Sequence, residues 1–236
     1  MDMVSSAVRR RRERPTRREI ARRVAAGCSP NYMGNIALRS NRPANIPDEL
    51  NCSLWITGLP PNVTVGELLA AIRNVGKVYA TVVNPPDGRH PFSAAKVTFF
   101  TPTAAQTLLA QCNGPDKRGL IVGNCRARVR YNRNAVEQPE WVPEDHTRAI
   151  IVSGPPDIIN IEFLMDYFRR RFDFQLESID VLAAGHSINV LEWRFGSYRA
   201  QANSAWKALT GDAIFKREYP GVNVRFVHDP CDARNH

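Results

Sequence analysis

The sequence predicts an α+β protein. It reads as two βαββαβ units, each an antiparallel sheet with helices on one face, behind a basic, disordered N-terminal tail. Three observations carry this. Residues 54–61 (LWITGLPP) form a β-branched and aromatic run closed by a Gly-Leu-Pro-Pro stop. Residues 93–100 (SAAKVTFF) make a second such run, and the interval between the two reads helix then strand. A further helix and strand follow, which completes a split βαβ pattern. The same order repeats more faintly from Ile150 to Phe226.

The totals fit this plan. A chain of 236 residues, 43% of them apolar, has room for one or two small domains with real cores. No apolar run approaches the ~20 residues that span a bilayer. The N-terminus lacks the apolar core of a signal peptide, so a soluble intracellular protein is expected. Five cysteines (28, 52, 112, 125 and 231) show no CxxC pairing. The expectation is therefore buried free thiols, with no metal and no cofactor. The net charge is +9, carried by the tail and the first unit, whereas residues 134–146 hold four acids and no base. Residues 147–236 hold eleven bases and eleven acids. A cationic face attracts phosphate by releasing counterions, so nucleic acid is the expected partner of the first unit.

Four segments follow from this reading: a tail and linker over 1–50, a first domain over 51–133, an acidic linker over 134–146 and a second domain over 147–236. In the tail, Arg9, Arg10, Arg11, Arg12, Arg14, Arg17 and Arg18 crowd together and Pro15 interrupts any helix. Disorder is expected there. The run suits a solvated tail, a nuclear-import signal or a non-specific nucleic-acid arm. Glu13 and Glu19 argue against a mitochondrial presequence.

In the first domain, alternation puts Leu54, Ile56 and Leu59 in the core and Trp55 and Thr57 on the open face. Thr64 with Glu67 makes a capping box for a helix over 65–74 that Gly76 ends. Strands are expected over 77–84 and 94–100. Thr101-Pro102 starts the second helix, Asn113-Gly114 closes it, and residues 125–131 (CRARVRY) form the last strand. The acidic linker carries Trp141, which is expected to pack on one of the domains.

In the second domain, 149–153 is a strand closed by Gly154-Pro155-Pro156, and Asn160 caps a helix bearing Phe163, Leu164 and Phe168. Strands are expected over 174–182 and 187–195, a helix over 197–209, and a last strand over 222–227.

Residues 54–59 and 92–99 resemble the two sequence motifs of the RNA recognition motif (RRM) family, whose fold is ferredoxin-like. The chain as a whole is similar to fungal RRM-domain proteins. The resemblance implies a sheet on which single-stranded bases stack on aromatics while basic side chains take phosphates. It implies three aromatic positions. In the first domain these fall on Trp55, Ala94 and Lys96, so one aromatic is present. Lys96 and Thr98 share the open side. Arg126, Arg128 and Arg130 alternate out of the last strand, which the family places beside the first. Tyr79 offers a further ring. The implied partner is single-stranded RNA or another single-stranded nucleic acid, held with little sequence choice.

In the second domain the same positions are Ile151, Val190 and Glu192, which suit RNA poorly. This copy is expected to be an accessory or protein-interaction module. It also has a loose likeness to the U2AF-homology type of RRM, which implies a peptide site at Arg217 and Tyr219 in a loop and at Glu162 and Asp166 on a helix. The rival reading is a protein–protein adaptor in which neither sheet touches RNA.

An enzyme is not expected. The five histidines are scattered, no GxxxxGK[ST] or GxGxxG loop occurs, and Asp48-Glu49 and Glu144-Asp145 lie in linkers. A nuclear or nucleocytoplasmic protein without membrane attachment is expected.

Overall fold

The computed structural model describes residues 16–28, 30, 35–37, 42–88, 90–114 and 119–233. The chain divides into two units, Met1–Ala44 and Asn45–His236. In the first, Arg17–Ala25 forms helix α1. Thr16 accepts from the Glu19 amide and Glu19 reaches back to Thr16, so a capping box starts the helix one residue after Pro15. The expectation of disorder is thereby corrected for these residues. Arg9, Arg10, Arg11, Arg12 and Arg14 lie outside the described residues.

The second unit holds two antiparallel sheets. The first contains β1 (Ser53–Leu59), β2 (Val78–Asn84), β3 (Ser93–Phe99), β4 (Leu120–Val122) and β5 (Cys125–Tyr131), in the order β2-β3-β1-β5-β4. Helices α2 (Val65–Ala70) and α3 (Pro102–Asn113) supply its other layer. The sheet has five strands rather than four, because Leu120–Val122 pairs with β5 across Gly123-Asn124. A two-residue Gly-Asn connection is a hairpin signal that alternation alone passes over.

Leu54, Ile56, Leu59, Leu68, Leu69, Val97, Phe99 and Leu108 meet in one core. Each such side chain contributes about 1.5–3 kcal/mol by burial. Leu59 reaches this core despite the wrong parity because the register shifts between Thr57 and Leu59, with Gly58 at φ +76°. A bulge of this kind needs a residue free of a Cβ.

Helix α2 stops at Ala70, short of the expected Asn74. Its last turn tightens, with the Ala71 and Ile72 amides donating to Leu68 and Leu69. The Val75 and Gly76 amides then donate to the Cys231 carbonyl at 2.9 and 3.2 Å. A segment distant in sequence, at Cys231, thus replaces the next helical turn.

The second sheet contains β6 (Ala149–Gly154), β7 (Leu176–Ala184), β8 (Asn189–Phe195) and β9 (Asn223–Val227), in the order β7-β8-β6-β9. Its helices are α4 (Ile161–Arg169), α5 (Asn203–Gly211) and α6 (Ala213–Glu218). The expected helix over 197–209 is broken. Ala200 sits at φ +59° inside a wide turn, Tyr198–Ala202, and regular helix begins only at Asn203. Helix α6 was not expected, although Asp212 caps it by accepting from the Ile214 and Phe215 amides. In the acidic segment Trp141 is 91% exposed, contrary to the packing expected of it. Val142, next to it, packs against the second core instead.

The two sheets share an interface built on Arg148. Its side chain is fully buried. Nε donates to Asp229 at 2.9 Å, and Nη1 donates to Glu177 and to the Phe195 carbonyl. Asp229 in turn accepts from the Val78 amide at 2.8 Å, which ties the network to β2. Burial alone pushes the Arg148 pKa down, but attraction to Asp229, Cys231 and Glu177 more than offsets it and the net shift is upward. Burial also pushes the Cys231 thiol up to about 12. Beside this network, Tyr79 meets Phe100 edge-on at 5.3 Å and Tyr198 at 5.9 Å. His146 lies 4.1 Å from the Phe226 ring and 2.9 Å from the Tyr198 hydroxyl.

Two outcomes are expected. Arg148→Met leaves Asp229 as an uncompensated buried carboxylate. It should cost about 3–5 kcal/mol, read as a lowered urea midpoint, and a loss under about 1 kcal/mol would refute the role given to the network. For His146, burial lowers the pKa below 6.5, with Asp145 opposing and Lys77 and Lys207 adding to it. A depressed histidine takes its proton more readily in the unfolded chain. Its contribution is therefore complete above pH ~6.5 and lost as pH falls from there toward the folded pKa. Urea midpoints at pH ~7.5 and ~5.5 should drop further for the native chain than for His146→Gln.

Candidate nucleic-acid interface

Strand register sets out the open face of the first sheet row by row. Trp55 stands opposite Lys96 on β3 and Arg130 on β5, and Lys96 stands opposite Val82 on β2. Val82, Lys96, Trp55 and Arg130 thus make one line across four strands. In the next row Asn84, Ala94, Thr57 and Arg128 are aligned. Arg126 lies one step further along β5, opposite Ile121.

Trp55, Thr57 and Lys96 are half-buried, and Arg126, Arg128 and Arg130 are exposed. Alternation produces this because Ala127 and Val129 turn into the core between the arginines. Neither Arg128 nor Arg130 forms an ion pair among the described residues.

Two residues expected on this face are placed elsewhere. Thr98 is buried, and its hydroxyl donates to Ser53 at 3.2 Å. Asn132 also donates to Ser53, and Asn51 donates to the Asn132 carbonyl, so that end of the sheet is sealed by polar side chains. Tyr79 is spent in the ring cluster with Phe100 and Tyr198, because the β2–β3 register slips between Val78 and Ala80.

The structure adds one residue that the reading above did not single out. Phe92, the residue before β3, is 51% exposed. With Thr57, Gly58, Cys125, Arg126 and Arg128 it lines a groove of about 450 Å³. Positions 92, 94 and 96 share one parity, so the signal was present in the alternation.

The second sheet presents a different face. Ile151 stands opposite Glu192, and Val190 opposite Ser153. Arg194 donates to Glu192 at 2.7 Å and lies 3.4 Å from Asp180, so the cation and both carboxylates satisfy one another. The hydrogen bond to Glu192 holds the Arg194 pKa above its ordinary value.

The residues of the peptide site do not form the expected loop. Arg217 belongs to the last turn of α6, and Tyr219 caps it. The Tyr219 ring packs on Phe215 at 4.9 Å and Phe163 at 5.8 Å. Glu162 is exposed on the first turn of α4, while Asp166 pairs with Arg170. Arg17 and Arg18 lie exposed on α1. Among the described residues no group of three or more His, Cys, Asp or Glu could hold a metal ion.

Residues 54–120 match the family model described as RNA recognition motif. No curated protein matches the chain. Similar solved structures include RNA recognition domains 1 and 2 of Sex-lethal from Drosophila melanogaster, at 22% identity over 75% of this chain and 100% of that one, with a TM-score of 0.28. The first two RRM domains of the yeast poly(U)-binding protein Pub1 share 16% identity over 75% of this chain and 99% of theirs, with a TM-score of 0.29. The N-terminal three RNA-binding domains of the yeast splicing factor Prp24 share 12% identity over 75% and 64%, with a TM-score of 0.31. Superpositions this loose say nothing of how the chain meets a ligand, and the family rests on the sequence match. That match spans β1 through α3 and ends at Leu120, the first residue of β4, so the likeness to the RNA recognition motif is one of residues 54–120.

Proposed function

We propose that the chain is a non-enzymatic RNA-binding protein that lays a single strand across the open face of its first sheet. The observation that carries this is the row Lys96–Trp55–Arg130, a half-buried indole between two cationic side chains on neighbouring strands. A base stacks on Trp55 at about 1–3 kcal/mol. Lys96, Arg128 and Arg130 take the phosphates on either side, with Thr57 lining the path and Arg126 at its border. Few aromatics and several cations make binding salt-dependent and tolerant of sequence.

In this reading residues 51–133 contact RNA, and 147–236 are an accessory domain that fixes the first sheet through Arg148. The arginines of 9–18 add a non-specific arm. The arginine-rich run is also the feature that favours a nuclear or nucleocytoplasmic location. No described helix is long and apolar enough to cross a membrane.

Fluorescence anisotropy of the full chain with random-sequence single-stranded RNA tests this. Trp55→Ala should weaken binding by about 5- to 150-fold. The three phosphate contacts of the sheet should contribute about −2 to the slope of log affinity against log salt, from about −0.7 per phosphate, with the arginine-rich arm adding to it. Arg128→Ala with Arg130→Ala should flatten that slope by about 1.4. Replacing Arg9, Arg10, Arg11, Arg12 and Arg14 by alanine should lower affinity but preserve the effect of Trp55→Ala. If Trp55→Ala leaves affinity unchanged at low salt, the sheet is not the binding face.

A further inference from the structure

We propose that the groove beside Phe92 is a second nucleobase subsite, in which an unpaired base stacks on Phe92 while Arg128 holds its phosphate. This rests on the reading that the first sheet binds single-stranded RNA, and it adds a position that the row through Trp55 does not contain.

The groove exists because small residues leave it open. Gly58 contributes no side chain, and Ala94 stands opposite Thr57, so the space between the Trp55 row and Phe92 has a low floor. It is a shallow groove of about 450 Å³, open to solvent along one side. Phe92 lies just before β3, four residues from Lys96, or about 13 Å if the chain stays extended. Phe92 therefore stacks a different base from the one on Trp55.

One wall of the groove is held in place. Gly119 has φ +67°, and a Cβ there would come within 2.6 Å of the Arg126 Nε and 3.2 Å of its Cγ. The Arg126 side chain therefore lies against the Gly119 backbone, which fixes its direction. Arg128, on the same side of β5, stands opposite Thr57 at the groove floor.

The chemistry selects the occupant. A single exposed phenylalanine is ordinary on a protein surface. Here it shares a concave site with two guanidiniums, whose planar donor forks suit phosphate oxygens and whose cost of desolvation disfavours an apolar peptide. A nucleotide supplies both the flat apolar ring and the anion.

The test is anisotropy of the full chain with random-sequence single-stranded RNA, comparing Phe92→Ala, Phe92→Tyr and Trp55→Ala. Phe92→Ala should weaken binding by about 5- to 150-fold, and Phe92→Tyr should stay close to the native affinity because it keeps the ring. Phe92 is exposed, so neither variant endangers the fold, and an unchanged urea midpoint checks this. If Trp55→Ala weakens binding and Phe92→Ala does not, the subsite is refuted and the sheet reading stands. If neither substitution changes affinity, both are refuted. Equal weakening by Phe92→Tyr and Phe92→Ala would also overturn the stacking role.

Discussion

The architecture depends on one buried guanidinium. Arg148 lies just before β6 and gathers groups distant in sequence: Glu177 on β7, the Phe195 carbonyl at the end of β8, and Asp229 and Cys231 beyond β9. Burying an ion costs several kcal/mol, which attraction offsets only when the geometry satisfies most of its donors. Arginine can meet that demand because its donors form a rigid planar fork. The groups it orients then act on the first sheet. Asp229 holds the Val78 amide, and the Cys231 carbonyl holds those of Val75 and Gly76. The second sheet thereby fixes the start of β2.

This explains a helix that could not stand alone. Six residues of α2 fall well below the ~12–15 at which an isolated helix becomes even marginal in water. Its capping box satisfies the first turn, Leu68 and Leu69 anchor it to the core, and β7 of the second sheet packs alongside. The Cys231 carbonyl takes over where its own hydrogen bonds end. The first sheet and the C-terminal segment are therefore mechanically coupled, and the ring cluster of Tyr79, Phe100 and Tyr198 extends that coupling along β2.

How much of this the sequence could disclose depended on the range of the interaction. Alternation is local, so it assigned Leu54 and Ile56 to the core and Trp55, Arg128 and Arg130 to the other face. Thr98 has the parity of an open-face residue, yet it is sealed by Ser53, Asn132 and Asn51, partners brought together only by the fold. Tyr79 left the face because of a register slip that no spacing reveals. Arg148, Glu177 and Asp229 read as part of a neutral charge count, since nothing local marks one arginine among eleven basic residues as buried. Trp141 shows the reverse error: a large aromatic invites packing, but its stretch of acids and prolines gives it no surface to meet.

The open faces of the two sheets differ in the residues they carry. On the second face Arg194 is already bound to Glu192 and Asp180, so a phosphate arriving there would have to displace two carboxylates. Those carboxylates also repel it. On the first face Arg128 and Arg130 flank an indole without an ion pair among the described residues, and the neighbouring side chains Thr57 and Ala94 are short enough to leave the row accessible. The difference lies in the central row, where Glu192 and Ile151 stand in the places of Lys96 and Trp55 while Arg225, like Arg130, stays exposed. On the proposed function, a carboxylate introduced next to Trp55 should abolish RNA binding in the anisotropy measurement and leave the urea midpoint unchanged.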